Sequence, residues 1–201
     1  MTATDEPGSK SSEEIEVKLP CKDLAALRET LGARGATLQT ALHDEINDLY
    51  DDPKRRLAGG GAALRLRRAR GRTILTFKGP ARFSGGIKIR EERETAVEDA
   101  GQIEAILAGL GFSRRFRYEK RREEWRFERC TVALDETPIG RFVEVEGEPT
   151  AIRRAVVALG LDFAEAIPYS YARLYEERRR DDPSLPEDMV FVGREDVSRL
   201  S

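Results

Sequence analysis

Histidine and cysteine are nearly missing from this chain of 201 residues, which has one His, His43, and two Cys, Cys21 and Cys130, that form no CxxC pair. A zinc site of Cys and His ligands has no material here, and neither has a mechanism that needs two histidines. Nothing around His43 suggests a triad, so it reads as a structural or surface residue. No run of 18 apolar residues occurs, and the leading MTATDEPGSKSSEE is polar and acidic rather than basic and then apolar. That pattern argues for a soluble, cytoplasmic protein with no membrane partner. A GxxxxGK[ST] motif is also missing: Gly59, Gly60 and Gly61 are followed by AALRL and read as a hairpin connection, which leaves no P-loop. Charge of one sign is not in excess either, since 35 Lys+Arg against 37 Asp+Glu leave −2.

What the chain has in quantity is charge of both signs, 36% of all residues, where about 25% is ordinary. The 39% apolar share, with 17 glycines besides, is that of a globular protein and supports a core. Length favours one domain over two small ones. The expected organisation is a disordered leader over residues 1–11, a single domain over 12–180 and a polar, loosely ordered C-terminal tail over 181–201. Within that tail Met189 to Val192 is the one apolar patch, placed to dock locally.

Period-two alternation marks the strands. In Glu13 to Leu19, Glu14, Glu16 and Lys18 face one way and Ile15, Val17 and Leu19 the other, and Pro20 ends the run. The pattern recurs in Leu64 to Arg67, Ile74 to Lys78, Ile87 to Glu94, the pair Phe116 to Phe127 and Thr131 to Leu134, and Phe142 to Glu146. Helices fall between. Asp23 caps one with Leu24, Leu27 and Leu31 on a face and Gly32 as its stop. Asp99 caps a second, with Ile103, Ile106, Leu107 and Leu110 on one stripe and Gly111 at its end. Pro149 and Thr150 open a third, with Ile152, Ala155, Val156 and Leu159, ended by Gly160; a fourth starts at Ser170. An E-x-E strand followed by a helix ending in Leu-Gly recurs at Glu14/Glu16, Glu92/Glu94 and Glu144/Glu146, but at unequal spacing, which excludes a solenoid or propeller.

The charged faces admit two arrangements. In an open antiparallel sheet they look into solvent; in a closed barrel they line the lumen and the apolar faces lie outside, under the helices. The inward set would be Lys18, Arg65, Arg67, Lys78, Lys88, Arg90, Lys120 and Arg122 against Glu14, Glu16, Glu92, Glu94, Asp135, Glu144 and Glu146, eight cations and seven carboxylates. Carboxylates two apart on a strand sit about 6.8 Å from each other, near enough to share a divalent ion. With no His or Cys to bind it, that ion would be hard and oxygen-loving, Mg²⁺ or Mn²⁺. Guanidinium and ammonium rows suit phosphate oxygens, so the mixture suits a metal polyphosphate.

The E-I-E-V-K of Glu14 to Lys18 resembles the ExExK signature of the CYTH superfamily, the triphosphate tunnel metalloenzymes that include thiamine triphosphatases, inorganic triphosphatases and class IV adenylyl cyclases. The likeness runs over about residues 13 to 178, through N-D-L-Y-D-D-P, A-L-R-L-R, T-F-K-G-P, R-E-E-R-E, E-K-R-R, L-D-E-T-P-I-G-R-F-V-E-V-E-G and S-Y-A-R-L. It implies an α+β fold: an eight-stranded antiparallel closed β-barrel, the triphosphate tunnel, with surrounding helices. It implies metal ligation by Glu14, Glu16, Glu92, Glu94, Asp135, Glu144 and Glu146. Substrate contacts would come from Lys18, Arg65, Arg67, Lys78, Arg90, Lys120 and Arg122, joined by Lys88 from the inward set, with Glu14, Glu16, Lys18 and Lys120 in catalytic roles. Ser170 and Tyr171 fall where the family's C-terminal helix often closes one tunnel mouth.

The activity so implied is that of a Mg²⁺- or Mn²⁺-dependent triphosphatase acting on inorganic triphosphate, thiamine triphosphate or ATP. The alternative is a class IV adenylyl cyclase making cyclic AMP and pyrophosphate, and the nucleophile decides between them. A non-catalytic polyphosphate binder would make poor use of the E-x-E pairs. Arg114 to Arg129, where aromatics interleave with bases, is diluted by four glutamates in a chain of net charge −2, so nucleic acid is not an expected partner. The chain is expected to act as a monomer or homodimer.

Overall fold

The computed structural model describes residues 12–192; the expected leader and the end of the expected tail lie outside them. The elements run β1 (Ser12–Pro20), α1 (Leu24–Ala33), β2 (Thr37–Asp51), α2 (Arg56–Gly59), β3 (Ala63–Ala69), β4 (Arg72–Lys78), β5 (Arg82–Ser84), β6 (Ile87–Val97), α3 (Ala100–Gly109), β7 (Ser113–Phe127), β8 (Cys130–Thr137), β9 (Gly140–Glu146), α4 (Pro149–Ala158) and α5 (Tyr171–Asp181). Strand pairing follows the order β1-β9-β8-β7-β2-β3-β4-β6, all antiparallel, and β6 pairs back onto β1. The eight strands therefore close into a barrel, with β5 a short extra strand on β6. Closure pairs both edges of each of the eight barrel strands, leaving only β5 at an edge among the described residues, and turns one face of every barrel strand inward.

Outside, the apolar faces are covered as the alternation requires. Val17 and Leu19 of β1, Val132 and Leu134 of β8 and Val143 and Val145 of β9 pack with Leu27 and Leu31 of α1 and with Ile152, Ala155 and Val156 of α4. Each large aliphatic side chain so buried contributes about 1.5–3 kcal/mol relative to exposure. A second outer cluster joins Tyr50, Leu66 and Leu107 beneath α3. A third, Tyr118, Phe142, Tyr171, Tyr175 and Met189, seats α5 against residues of β7 and β9 that share the inward parity of Lys120 and Glu144.

Local signals act largely as their chemistry dictates. The Asp23 carboxylate accepts from the amides of Ala25 and Ala26, Asp99 from Gln102, and the Ser170 hydroxyl from Arg173. Gly111 and Gly160 stop α3 and α4 with positive φ. The β7–β8 turn is made by two non-glycine residues of positive φ, Glu128 and Arg129, the geometry of a two-residue hairpin loop.

Five expectations are corrected. Gly32 does not stop α1, which runs on to Ala33; the left-handed residue is Gly35. On α3 only Leu107 is buried, whereas Ile106 and Leu110 are exposed, because the helix lies on the barrel along the narrower Ile103–Leu107 line. Gly59 to Gly61 do not form a simple hairpin: Gly59 closes the single turn α2, and Gly61, φ 74°, passes against Pro80. Strands β2 and β5 were not foreseen as elements. Finally, the chain from Asp181 to Val192 packs rather than trailing: the Met189 amide donates to Arg117 O, Met189 O accepts from the Glu119 amide, and the Tyr175 hydroxyl donates to the carbonyls of Pro186 and Asp188. The expected local docking of Met189 is its anchor, the side chain being fully buried.

Candidate functional site: a tunnel of interleaved charges

Antiparallel register sets mostly unlike charges opposite one another around the barrel wall, with one pair of carboxylates, Glu16 and Glu146, as the exception. Glu14 lies across from Arg90 and Glu16 from Lys88. On the other side of β1, Lys18 faces Glu144 and Glu16 faces Glu146. Lys78 faces Glu92, Arg122 faces Asp135 and Lys120 faces Glu45. Side chains so paired start about 4.5–5.5 Å apart at Cβ, and their charged ends meet in the lumen.

The contacts form a continuous lattice. Lys78 Nζ donates to Glu14 at 2.7 Å and Glu92 at 2.8 Å, and Lys88 is bonded to Glu16. Arg65 donates to Thr76 and Glu94, both at 3.1 Å, and Arg67 to Asn47 at 3.0 Å. Arg122 grips Asp135 with two bonds of 2.7 Å and also reaches Glu144. Lys120 lies 3.1 Å from Asp135 and 3.5 Å from Glu45. Lys18 Nζ donates to the Tyr169 carbonyl at 3.1 Å and sits 3.4 Å from Glu144.

A cavity of about 1200 Å³ runs through this lattice. Its walls include Glu14, Glu16, Glu144 and Glu146 and all eight expected cations, Lys18, Arg65, Arg67, Lys78, Lys88, Arg90, Lys120 and Arg122. Three expected residues stand back from it. Glu92 sits behind Lys78 and Arg65, Glu94 is held by Thr76 and Arg65 with its side chain 45% exposed, and Asp135 is wholly buried beneath Arg122, Lys120 and the Tyr171 hydroxyl. Beyond the charged rows the lining continues onto Phe83, Phe116 and Tyr169.

Protonation reflects the crowding. Burial raises the tendency of Glu144 to hold a proton, but Arg122, Lys120 and Lys18 outweigh it and keep the carboxylate well below its usual range. Asp135 is held down in the same way by Arg122 and Lys120. Lys18 goes the other way, since desolvation, helped by Lys88 and Lys120, lowers its ammonium below the ordinary lysine value against the pull of Glu144 and Glu16. Glu146 keeps a solvent-accessible face, yet desolvation by the barrel wall and then the carboxylates of Glu14, Glu16 and Glu92 push it up to about 7. Five buried side-chain atoms lack a hydrogen-bond partner among the described residues, and each belongs to an inward-facing residue: Glu14 Oε2, Glu45 Oε2, Asn47 Nδ2, Arg65 Nε and Arg90 Nε.

No group of three or more His, Cys, Asp or Glu side chains is gathered as a metal cage among the described residues. The donor chemistry nonetheless fits a hard divalent ion. Glu14 keeps an orphaned carboxylate oxygen, and Glu146, repelled by its acidic neighbours, would release its proton beside a cation.

The structure adds Glu45 to the site and gives His43, Tyr118 and Tyr171 places in it. Glu45 of β2 is buried, and burial is outweighed by Lys120, His43 and Arg67, which hold its carboxyl well below the usual range. His43 thereby belongs to the lattice through Glu45, at 3.6 Å, and its own pKa is raised by that partner. Tyr118 and Tyr171 also line the cavity. An inward Glu45 was readable only if β2 had been recognised, and the D-E-I-N-D-L-Y run conceals it because Asp48, on the opposite face, is polar too.

Among curated proteins none matches this chain in sequence. Solved structures do match in shape. A Vibrio parahaemolyticus protein with a provisional adenylate cyclase assignment is 20% identical, with TM-score 0.72 over 83% of this chain and 99% of that one. A Pyrococcus horikoshii protein is 27% identical, with TM-score 0.68 over 83% and 99%. A Hippeastrum protein named provisionally as an adenylyl cyclase, whose structure is described as revealing a dominant triphosphatase activity, is 21% identical, with TM-score 0.66 over 82% and 96%. No described helix is long and apolar enough to cross a membrane. The family profile of the CYTH domain matches residues 12–158, most of the chain, and together with the closed barrel and its charged lumen this places the protein in the CYTH family, whose enzymes are metal-dependent in general.

Proposed function

We propose that the protein is a divalent-metal-dependent triphosphatase that binds the triphosphate group of an inorganic or organic substrate inside the barrel and hydrolyses its terminal phosphoanhydride. The observation that carries this reading is the meeting, on one cavity, of the eight inward cations expected from strand parity with carboxylates that include Glu14, Glu16, Glu144 and Glu146. A tunnel for a simple anion would need no carboxylates on its wall; Glu14, Glu16 and Glu144 are paired with Lys78, Lys88 and Arg122, and a metal polyphosphate would exchange those pairs for metal–carboxylate and phosphate–cation contacts.

In this reading Arg65, Arg67, Arg90 and Arg122 hold phosphate oxygens in forked hydrogen bonds, and Lys18, Lys78, Lys88 and Lys120 neutralise them as point charges. Glu14, Glu16 and Glu146, with Glu144 beside them, would hold Mg²⁺ or Mn²⁺. Bound there, such an ion neutralises substrate charge and polarises the phosphoryl group and the attacking water. Asp135 is set apart from this group, because Arg122, Lys120 and Tyr171 already occupy its oxygens; it steadies the cations. Glu92 and Glu94 support the same end of the site from behind Lys78 and Arg65. Water attacks the terminal phosphorus, the bond to the bridging oxygen breaks, the water's proton passes to a phosphate oxygen of the products, and the cation rows take up the charge left on the departing diphosphate.

A second reading, class IV adenylyl cyclase, is favoured by the continuation of the cavity onto Phe83, Phe116 and Tyr169, where an organic group would sit. Phosphorus NMR with Mg²⁺ and, in parallel, inorganic triphosphate, thiamine triphosphate and ATP separates the two. Orthophosphate with a diphosphate is the expected product set. Cyclic AMP with pyrophosphate would move the assignment to the cyclase, and no turnover with either Mg²⁺ or Mn²⁺ would leave a binding module.

A further inference from the structure

The residue that links the closing helix to the charged lattice is Tyr171, the first residue of α5, which is only 4% exposed. Its hydroxyl donates to Asp135 at 2.6 Å. Its ring lies under the Lys18 ammonium, 3.7 Å from Nζ to the centroid, with Lys120 Nζ at 5.4 Å. Phe142, edge-on at 5.3 Å, and Tyr118 at 6.2 Å hold the ring from the barrel side. The segment leading into it clamps the same lysine twice more, through the Ile167 amide to Lys18 O and Lys18 Nζ to Tyr169 O.

We infer that Tyr171 is a positioning residue: its ring face holds the Lys18 ammonium toward the cavity and away from full contact with the acidic row, while its hydroxyl fixes Asp135 and through it Arg122 and Lys120. The inference rests on the triphosphate reading of the tunnel. Its physical content is a competition. Lys18 stands 3.4 Å from Glu144, with Glu16 two residues before it on the same face, and a flexible ammonium collapses onto carboxylates unless something else holds it. A ring face attracts a cation without neutralising it, so the charge stays available to an incoming anion. The hydroxyl has the smaller share, because Asp135 keeps its bonds to Arg122 and Lys120 without it.

The test uses the full chain and two readouts: calorimetric binding of inorganic triphosphate in EDTA, which needs no metal and no turnover, and steady-state kinetics with Mg²⁺. Tyr171→Phe, which keeps the ring, is expected to bind within about twofold of wild type. Tyr171→Leu is expected to weaken binding about tenfold, the scale of one desolvated cation–ring contact, with KM rising more than kcat falls. If Tyr171→Leu does not fold, Tyr171→Met, unbranched and adaptable, serves in its place. In a Lys18→Met background the ring substitution should have no further effect on affinity. Full additivity in that background, equal losses in Phe and Leu, or a lowered Tm with unchanged affinity would each overturn the inference. Failure of the wild-type chain both to bind triphosphate in EDTA and to turn it over with Mg²⁺ would bring down the functional reading itself, a result distinct from a tight-binding wild type with a tight-binding Leu variant.

Discussion

Two ionic networks share the barrel wall, one on each side of it, and they are built to opposite standards. On the outer face Asp48, 1% exposed at its side chain, accepts from Arg68 at 2.7 Å and from Arg117 at 2.7 and 3.0 Å; Arg68 also holds Glu104, which accepts from the Tyr50 hydroxyl. Both Asp48 oxygens are engaged, and none of the orphaned buried atoms lies in this cluster. Burial, then Glu104 and Asp48, push Tyr50 to about 12, which keeps its hydroxyl a donor to Glu104 at neutral pH. The inner network holds all five orphans and a carboxyl near 7. The outer network is closed, whereas the inner one keeps unsatisfied valences, three of them on the cavity-lining residues Glu14, Arg65 and Arg90.

Substitutions should separate the two. The largest effect is expected inside: Glu16→Ala or Glu146→Ala should lower metal-dependent turnover at least about 100-fold, the upper end of what even outer partners of a metal cost, with far-UV circular dichroism unchanged. Near-normal rates in both variants would end the metal assignment. Outside, Asp48→Ala leaves Arg68 and Arg117 facing a buried vacancy. It should destabilise the fold by about 3 kcal/mol, the low end for breaking a buried pair because both arginines are partly solvated, while kcat of the folded protein stays at its wild-type value. A large kcat loss there would erase the distinction between the networks. Arg67→Ala should act chiefly on KM, by about 10-fold or more for one lost charge-assisted contact, read from substrate titration.

Acidity sharpens the contrast without mutation. Folded Glu146 keeps its proton up to about pH 7, while the unfolded chain releases it in the ordinary carboxylate range. Between those values the folded state binds more protons, so this group makes the metal-free protein less stable as pH rises through the window, with no further change above about pH 7. Thermal midpoints in EDTA should decline over that interval, and added Mg²⁺ should flatten the decline; an EDTA profile that rises instead would contradict the crowding. The smallest effect is expected at Ile106→Ser on the exposed side of α3, within about 0.5 kcal/mol in urea unfolding.

Much of this was legible from residue order. Alternation of charge with Ile, Val and Leu reports a two-faced strand wherever the apolar face is unbroken, as in β1, β6 and β9, and cap chemistry at Asp23, Asp99 and Ser170 is local, needing only residues two or three positions away. Strand β2 escaped because both of its faces are polar: Glu45 and Asn47 look inward, and Asp48 outward. Its partners are Arg67, Arg68, Arg117 and Lys120 on neighbouring strands, and no window of sequence contains them. The tail from Asp181 escaped for the same reason, since its anchor is Met189 against β7.

Residue order alone gave the charged faces of most strands, the eight cations and the acids that share their parity, and the hardness of any ion they would hold, because strand parity and the scarcity of His and Cys are properties of the chain. Which acids stand on the cavity and which behind it was settled by the closed barrel. Glu14, Glu16, Glu144 and Glu146 line it, Asp135 is sealed beneath Arg122 and Tyr171, and Glu45 joins from an unforeseen strand. The physical reason is closure: once β6 pairs with β1, side chains far apart in the chain compete for the same few ångströms of lumen, and that competition has no trace in local pattern.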